Sequence, residues 1–512
     1  MRGRIALLLV LLLLLTPLIA LPEAFAEEAA YDKSAMDALN GGHIGVPVGT
    51  VFDEIVLARL PDVQFDYYSN YADMAAALEA GKIVGFPGDE PVLRLVAAEH
   101  PSVAILDEPL DSFDVAMVLP KNEKGAALKE ELDAWLLSFT RSGELDRLIA
   151  KWLDGPEEEK TMPVLDNTAA PKGVLTLATD ATYAPMQYYR GEEIVGLEIE
   201  LAALFCQACG YGMEVVNMNF DGILPAIQSG KADFAASCFS VTDERKESVT
   251  FSESYYACST LMAALRTRDA AEKGSRDGVA ASFEKTFLRE NRWRLFVQGV
   301  ENTLLITLLS VLLGTLLGFG MFMLCRDGNP VANAAARFAT WLVQGMPAVV
   351  LLMVLYYIVF GSLSVSGVAV AVIAFSLSFG AAVFGLLKLG VGAIDNGQYE
   401  AAYALGYSRN RTFFRIILPQ VVPHILPAYK GEVTSLLKAT AIVGYIAVQD
   451  LTKMGDIVRS RTYEAFFPLI AVTVIYFLLE GLISLLVRRL ALRCDPKRRG
   501  RESILKGVRT ED

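Results

Sequence analysis

Few residues in this chain are arranged for covalent chemistry. Cys206 and Cys209 form a C-x-x-C, but it falls late in the helical stretch GLEIELAALFCQACG, with no second C-x-x-C or histidine cluster. The pair therefore reads as a small apolar helix face and not as half of a zinc site. A disulfide among Cys206, Cys209, Cys238 and Cys258 stays open for a segment outside the cell. No G-x-x-x-x-G-K-[ST] occurs, so the chain has no P-loop for ATP. The most specific arrangement is QYEAAYALGYSRNRTFFRIILPQ, Gln398 to Gln420, between long apolar runs. Arg409, Arg411 and Arg415 put it on the cytoplasmic side of a membrane by the positive-inside rule. Ala401, Ala402 and Gly406 let another protein approach the helix backbone closely, and Gly406 can break the helix in two. Glu400, near the helix start, complements the dipole and can meet a basic partner.

These residues are carried by a chain of unlike halves. Its 512 residues allow several domains, and a hydrophobic fraction of 53% with mean hydropathy +0.38 suits a hybrid of soluble and membrane parts. A formal net charge of −13 argues against nucleic-acid binding. Acidic residues dominate the first half, whereas Arg488 to Arg501 is strongly basic. At the N-terminus Arg2 and Arg4 precede a leucine-rich run from Ile5 to Leu15, then Ala24-Phe25-Ala26. This predicts a secretory signal peptide over 1–26, removed after Ala26. An uncleaved anchor is the alternative, because the apolar run continues to about Leu21. Either way, the chain after Ala26 starts outside the cytoplasm.

Residues 27–155 alternate short strands and helices. IGV (44–46), QFDYY (64–68) and IVGFP (83–87) read as buried strands, with TVFDEIVLARL and YADMAAALEAG as helices after them. The alternation predicts α/β structure with a parallel sheet. Two amphipathic helices come next, KGAALKEELDAWLLSFTRSG and ELDRLIAKWLDG. A linker rich in Glu, Pro, Asn and Thr spans 156–172, and a second α/β unit spans 173–268.

The second unit resembles the first lobe of the periplasmic amino-acid-binding proteins of ABC importers, through DATYAPM, VGLEIELA, NFDGILPAIQSGKADF and SVTDERKESVTFSESYY. Residues 37–154 resemble the second lobe and closing helices of that family, through ALNGGHIGVPVGT, ALEAGKIVGFPGDEP and SGELDRLIAKWLDG. The order is the reverse of the family's. The resemblance implies one circularly permuted, two-lobed α/β domain of type II, with 156–172 joining the old termini. Two degenerate half-domains of a former tandem are the rival reading.

A free amino acid carries a carboxylate and an ammonium, and both need partners once desolvated. By the resemblance, Arg245 in the TDER turn is the carboxylate-binding arginine, whose fork fits bidentately. Ser240 matches the neighbouring hydroxyl, and Ser237 and Cys238 fall where backbone groups face the ligand. Asp89 matches the second-lobe aspartate that pairs with the α-ammonium. Tyr183 and Phe220 match the aromatic pair that sandwiches the ligand side chain. Asp180 matches the acid at the far end of the pocket, which implies a polar or basic amino acid. Thr50 keeps part of the second-lobe GT turn, while Val51 and Pro47 depart from it, so side-chain hydrogen bonds are missing there.

From Ser282 to Phe296, SFEKTFLRENRWRLF reads as an amphipathic approach segment ending a connector over 269–296, with Trp293 at the membrane interface. Five apolar stretches come after it, at about 299–324, 336–360, 367–389, 421–449 and 465–488, each able to cover the roughly 20 residues of a span. They predict an all-α transmembrane domain over 297–490 and a basic cytoplasmic tail over 491–512. With the binding domain outside, five crossings leave the C-terminus inside together with Arg326, Arg337 and the 398–420 stretch. Arg289, Arg292, Arg294, Arg459 and Arg461 then fall outside, against the charge rule.

This half resembles the polar-amino-acid permeases of ABC importers: ENTLLITLLSVLLGTLLG matches their first span, and GQYEAAYALGYS to ILPQ their EAA loop. In that family the loop forms the coupling helix that docks on the ATPase. The resemblance implies that Glu400, Ala401, Ala402, Gly406, Ile416, Leu418 and Pro419 meet the ATPase. It also implies two separate ATPase subunits carrying ATP and Mg, and a second copy of this chain or a sibling permease to complete the path. Gln344-Gly345-Met346-Pro347 and Lys438-Ala439-Thr440-Ala441 depart from the R-G-T-P and K-D-T-S of relatives. Lys438 is an intramembrane charge and a functional candidate, unless it snorkels to an interface.

The combined expectation is a non-enzymatic subunit of an amino-acid importer in the cell membrane, with its receptor fused on and no cofactor of its own. A ligand-gated ion channel also joins this binding fold to membrane spans, but such channels place the pore between the lobes and carry a re-entrant filter. A ligand sensor would need a signalling domain, and the tail is too short for one.

Overall fold

The structure, a computed structural model, describes residues 35–266, 279–361, 363, 365–464 and 466–494. The expected signal peptide, part of the connector and most of the basic tail lie outside the described residues.

Lobe A holds β1 (His43–Pro47), β2 (Gln64–Tyr68), β3 (Gly85–Asp89) and β4 (Val103–Val115), and is completed by β13 (Tyr256–Leu265). The order is β2-β1-β3-β13-β4; β1 runs parallel to β2 and β3, and β13 antiparallel to β3 and β4. Every residue of β3 is buried, as a central strand covered on both faces requires. The covering helices include α1 (Phe52–Arg59), α2 (Tyr71–Glu79) and α3 (Glu90–Glu99). The Asn70 side chain accepts from the Asp73 N–H and so fixes the start of α2.

Lobe B repeats the plan with β5 (Val118–Pro120), β6 (Val174–Thr179), β10 (Gly212–Asn217), β11 (Phe234–Ala235) and β12 (Val249–Phe251), in the order β10-β6-β11-β5-β12. A small antiparallel sheet, β7 (Thr182–Tyr183), β8 (Gln187–Arg190) and β9 (Glu193–Val195), sits beside it. Its helices are α4 (Glu123–Arg141), α5 (Glu144–Leu153), α6 (Leu197–Cys209), α7 (Phe220–Gln228) and α8 (Asp243–Ser248).

The chain crosses between the lobes twice, from β4 to β5 and from β12 to β13. Residues 35–266 therefore form one two-lobed domain, and the lobes do not divide at the 156–172 linker. Two forces set the actual boundary. Trp152, Leu132 and Leu148 of the closing helices bury against Leu175, Phe205 and Phe234 of lobe B. β13 supplies the antiparallel partner that β3 and β4 of lobe A need. The linker stays on lobe B, where the Asn167 amide donates to Met213 O at 3.1 Å and accepts from Met213 N at 2.9 Å.

Among the described residues the membrane half has three helices long and apolar enough to span: α9 (Trp293–Arg326), α12 (Gly367–Gly392) and the first part of α17 (Phe466–Cys494). Two bent pairs raise the number of candidate spans to five. One is α10 (Pro330–Gln344) with α11 (Ala348–Met353) and its extension to Val359, bent by 105°. The other runs from Arg409 through α15 (Leu418–Ala439) to Ile446, and turns by 57° into α16 (Leu451–Thr462). α9 packs on α12 through glycines, since a Cβ at Gly318 would collide with the Gly380 carbonyl; such close backbone approach is a common adhesive between membrane helices. Lys438 is not alone: its Nζ lies 3.1 Å from Glu480 Oε2 of α17.

Candidate functional site

A cleft of about 690 Å³, open mouth included, lies between the lobes. It is lined by Thr50, Asp89, Asp180, Tyr183, Phe220, Ser237, Cys238, Ser240 and Arg245, so the structure brings all nine expected residues to one place. Their individual settings differ from residue to residue.

Arg245 lies in the first turn of α8, where its N–H donates to the capping Thr242 hydroxyl at 3.3 Å. Its guanidinium donates to Ser240 O at 3.1 Å and reaches across the cleft to Gly49 O of lobe A at 3.5 Å. The rings of Phe239 and Phe220, themselves stacked 4.8 Å apart, lie 5.3 and 5.9 Å from it. Desolvation lowers its pKa, yet a guanidinium stays charged at any physiological pH.

Asp89 ends β3 in lobe A and is 2% exposed. Its Oδ2 accepts from the Tyr183 hydroxyl of lobe B at 2.7 Å, while its Oδ1 is buried without a hydrogen-bond partner among the described residues. Burial raises the carboxyl to about 6, against the lowering effects of the Tyr183 hydroxyl and the Cys258 thiol. An unpaired buried acceptor of this kind is costly unless a donor arrives.

Asp180 comes just after β6. Its Oδ2 accepts from Phe220 N at 3.0 Å, and its Oδ1 from the Thr182 hydroxyl at 3.0 Å and from Lys453 Nζ of α16 at 3.3 Å. Ser237 Oγ accepts from Asp180 N at 3.2 Å and from the Gln187 amide at 3.1 Å.

Two expectations need correction in detail. The Cys238 N–H does not face the cleft as a free donor: it donates to both oxygens of the buried Glu198, at 2.9 and 3.0 Å, because φ +48° turns that peptide inward. Burial raises Glu198 to about 7, and the Tyr255 hydroxyl also donates to it. The Thr50 hydroxyl is spent on its own turn, donating to Pro47 O at 2.8 Å. Tyr183 and Phe220, the expected sandwich rings, both line the cleft, Tyr183 beside Tyr71 and Phe220 beside Phe239. Cys206, Cys209, Cys238 and Cys258 are free thiols.

Asn70, Tyr71, Phe113 and Gln187 also line the cleft, and sequence reasoning does not single them out. Tyr71 and Asn70 carry a local signal, since S-N-Y-A-D is a helix start, and helix starts face this cleft. Gln187 carries none, because its burial depends on Ser237, 50 residues away.

At the other end of the molecule, α13 (Gly397–Ala404) stops at a Schellman turn. Gly406, at φ +81°, donates to Tyr403 O at 2.9 Å and Tyr407 N to Ala402 O at 3.0 Å. α14 (Arg409–Thr412) then restarts the chain, and Pro419 sits in the first turn of α15. Ala402 is buried and Ile416 and Leu418 partly so, whereas Glu400, Ala401, Gly406 and Pro419 are exposed. Tyr403, Leu405 and Phe414 add exposed apolar surface beside them.

The binding domain is seated on the membrane half through both lobes. Lobe A meets it through Asp73, paired with Arg459, and through Glu99, 2.5 Å from Lys285 Nζ. His100 shares a 2.6 Å hydrogen bond with Tyr463 O. Lobe B meets it through Asn217, whose side chain and carbonyl both bond the Gln449 amide, at 3.3 and 2.8 Å. Arg461 lies 2.9 Å from Glu290 and 3.8 Å from Glu157, and Arg294 lies 3.7 Å from Glu192. All five arginines that broke the charge rule are thus paired with carboxylates, Arg292 with Glu290 at 3.1 Å and Arg289 with Glu284 at 3.9 Å.

Residues 175–405 match the family of bacterial extracellular solute-binding proteins, family 3. The match starts at β6, within the two-lobed domain, and ends just past α13. The membrane half is similar to a putative glutamine transport system permease protein of Rickettsia typhi, 33% identical over 197 residues, covering 38% of this chain and 89% of that protein. An arginine ABC transporter permease protein of Haemophilus influenzae is 30% identical over 211 residues, covering 39% of this chain and 92% of that protein. Among solved structures, a crystal structure of an amino acid ABC transporter with histidines is 29% identical and covers 43% of this chain and 100% of its own, with a TM-score of 0.38. The chain thus belongs to the multi-pass permeases of amino-acid ABC importers, and it carries a family-3 solute-binding domain on the same polypeptide.

Proposed function

We propose that the cleft takes one free amino acid with a polar or basic side chain and hands it to the membrane helices of the same chain. The observation that carries this reading is the opposition of Asp89 and Arg245. Asp89 offers from lobe A a buried carboxylate oxygen without a hydrogen-bond partner among the described residues. Arg245 offers a guanidinium from lobe B whose hydrogen bonds among the described residues go to backbone carbonyls. An α-ammonium on the first and an α-carboxylate on the second satisfy both groups and draw the lobes together. Asp180 sets the chemistry of the far end, where a donor on the ligand side chain would bond. Tyr183 and Phe220 supply apolar walls, and Ser237, Ser240, Cys238 and Thr50 complete the lining.

The start of the family match at β6 supports a permuted binding domain. One domain with two crossings has one interlobe cleft, so one ligand binds per chain. The domain faces the outside of the cell, and the C-terminus faces the cytoplasm. ATP is hydrolysed by two separate subunits, which meet the exposed face around Glu400, Ala401, Gly406, Leu405 and Pro419. Ala402, Ile416 and Leu418 support that face from beneath. A second copy or a sibling permease completes the path.

Calorimetry of the purified full-length chain with a panel of amino acids tests the reading. A polar or basic ligand bound one per chain, with affinity reduced at least 100-fold in Arg245→Ala, is the expected result. Binding that survives that substitution, or no binding by any amino acid, would overturn it.

A further inference from the structure

The far end of the cleft is shared with the membrane half. Lys453 lies on α16, which is fixed to the permease core: Leu451 N donates to the Thr303 hydroxyl of α9 at 3.1 Å, and the Asn302 amide donates to Gln449 O at 2.8 Å. Leu451, Met454, Ile457 and Val458 bury one face of α16 against Leu295 and Phe296 of α9 and against Ala181 and Tyr189 of lobe B. On the remaining face the Lys453 side chain is 6% exposed, and its ammonium donates to Asp180 Oδ1 at 3.3 Å. Asp180 belongs to the cleft lining. Its Oδ2 accepts from Phe220 N and its Oδ1 also from the Thr182 hydroxyl, so Lys453 already draws on the carboxylate that would meet a ligand side chain.

A lysine presented from another element to this carboxylate imitates the cationic or amide end of a bound amino acid. Both cannot hold the same carboxylate at full strength. We propose that Lys453 is a specificity-determining residue of the amino-acid site, contributed by the membrane half, which competes with the ligand side chain for Asp180 when the binding domain is seated. This rests on the assignment of the cleft as the amino-acid site. Seating weakens the hold on the ligand side chain, and by linkage a ligand with a cationic end weakens the seat. A ligand with a neutral end loses less, so the seated receptor discriminates against cationic side chains relative to the free one.

The test uses full-length protein in lipid nanodiscs, with L-arginine and L-glutamine titrated into wild type, Lys453→Gln, Lys453→Arg, Asp180→Asn and the Asp180→Asn/Lys453→Gln double variant. Lys453→Gln is expected to bind arginine about tenfold more tightly, with a smaller gain for glutamine. Lys453→Arg, which keeps the charge, stays closer to wild type. In the Asp180→Asn background the Lys453 effect disappears. Unchanged or weaker arginine binding in Lys453→Gln, or a gain that persists without the Asp180 carboxylate, overturns the proposal. Should Lys453→Gln fail to assemble, hydrogen exchange of wild-type α16 decides: arginine speeds its exchange if the competition is real, and an unchanged rate overturns it. The cleft assignment fails separately, through amino-acid binding that Arg245→Ala does not disturb.

Discussion

At the residue scale the cleft is governed by where charge is left without a partner. Asp89 is the clearest case, with one oxygen held by Tyr183 and the other waiting. Its carboxyl is raised to about 6, so it is ionised above that pH and protonated below it. Amino-acid affinity should therefore be nearly flat from pH 7 to 8 and fall as pH drops through 6, by at most tenfold per unit, as the ammonium loses its counter-charge. Asp89→Asn should bind weakly throughout and lose that slope, which calorimetry across the range would show. The residues that line the cleft were legible where the chain writes them into short motifs: Arg245 in T-D-E-R, Asp180 and Tyr183 in D-A-T-Y. What those motifs do not reveal is which atoms are already engaged. The Cys238 N–H is claimed by Glu198, 40 residues earlier, and the Thr50 hydroxyl by its own turn. Such engagements are set by backbone angles that local composition does not encode.

At the element scale the α13–α14 break is the feature with the most direct consequence. Gly406 holds φ +81°, a conformation that a β-branched residue adopts only under strain of about 1–2 kcal/mol. Gly406→Val should fray the end of α13 and tilt the exposed face that Glu400 and Leu405 share. Amino-acid binding should persist while ligand-stimulated ATP hydrolysis, measured with the ATPase subunits reconstituted, drops several-fold. Glu400→Lys, which reverses a charge on that exposed face without straining the backbone, should lower the same activity. Equal stimulation in either variant would disconnect this face from the ATPase. Helix α16 marks the opposite limit of sequence reading. LTKMGDIVRSRT is too polar to read as a span and reads as an outer loop. It is nevertheless a buried helix, because Asp180, Asp73 and Glu290, from three other segments, neutralise its cations. The apolar runs of the spans are visible within 20 residues, whereas a helix stabilised by distant carboxylates is visible only in the fold.

At the scale of the whole molecule, an acidic receptor rests on a seat that displays basic groups to it. Arg459 is buried among these, shared between Asp73 of lobe A and Asp456 of its own helix at 2.8 Å. Removing it leaves two partly buried carboxylates facing each other, a loss of about 2 kcal/mol. Arg459→Ala should thus open α2 and α16 to hydrogen exchange together, leaving the strands of lobe B protected. Added salt should have a milder effect in the same direction, since these pairs are only partly reached by ions. If exchange rises in α16 alone, the Asp73 contact carries no seating energy.

The seat also grips two bodies joined by the β4–β5 and β12–β13 crossings. His100 and Asp73 fix one body to α16 and its end, while Asn217 fixes the other to Gln449. Two grips on the arms of a hinge act as a calliper: both close only at one opening of the arms. The membrane helices can therefore gauge how far the cleft is shut without any contact to its contents, and a shape change of a few ångströms at the crossings becomes a change in how many grips are made.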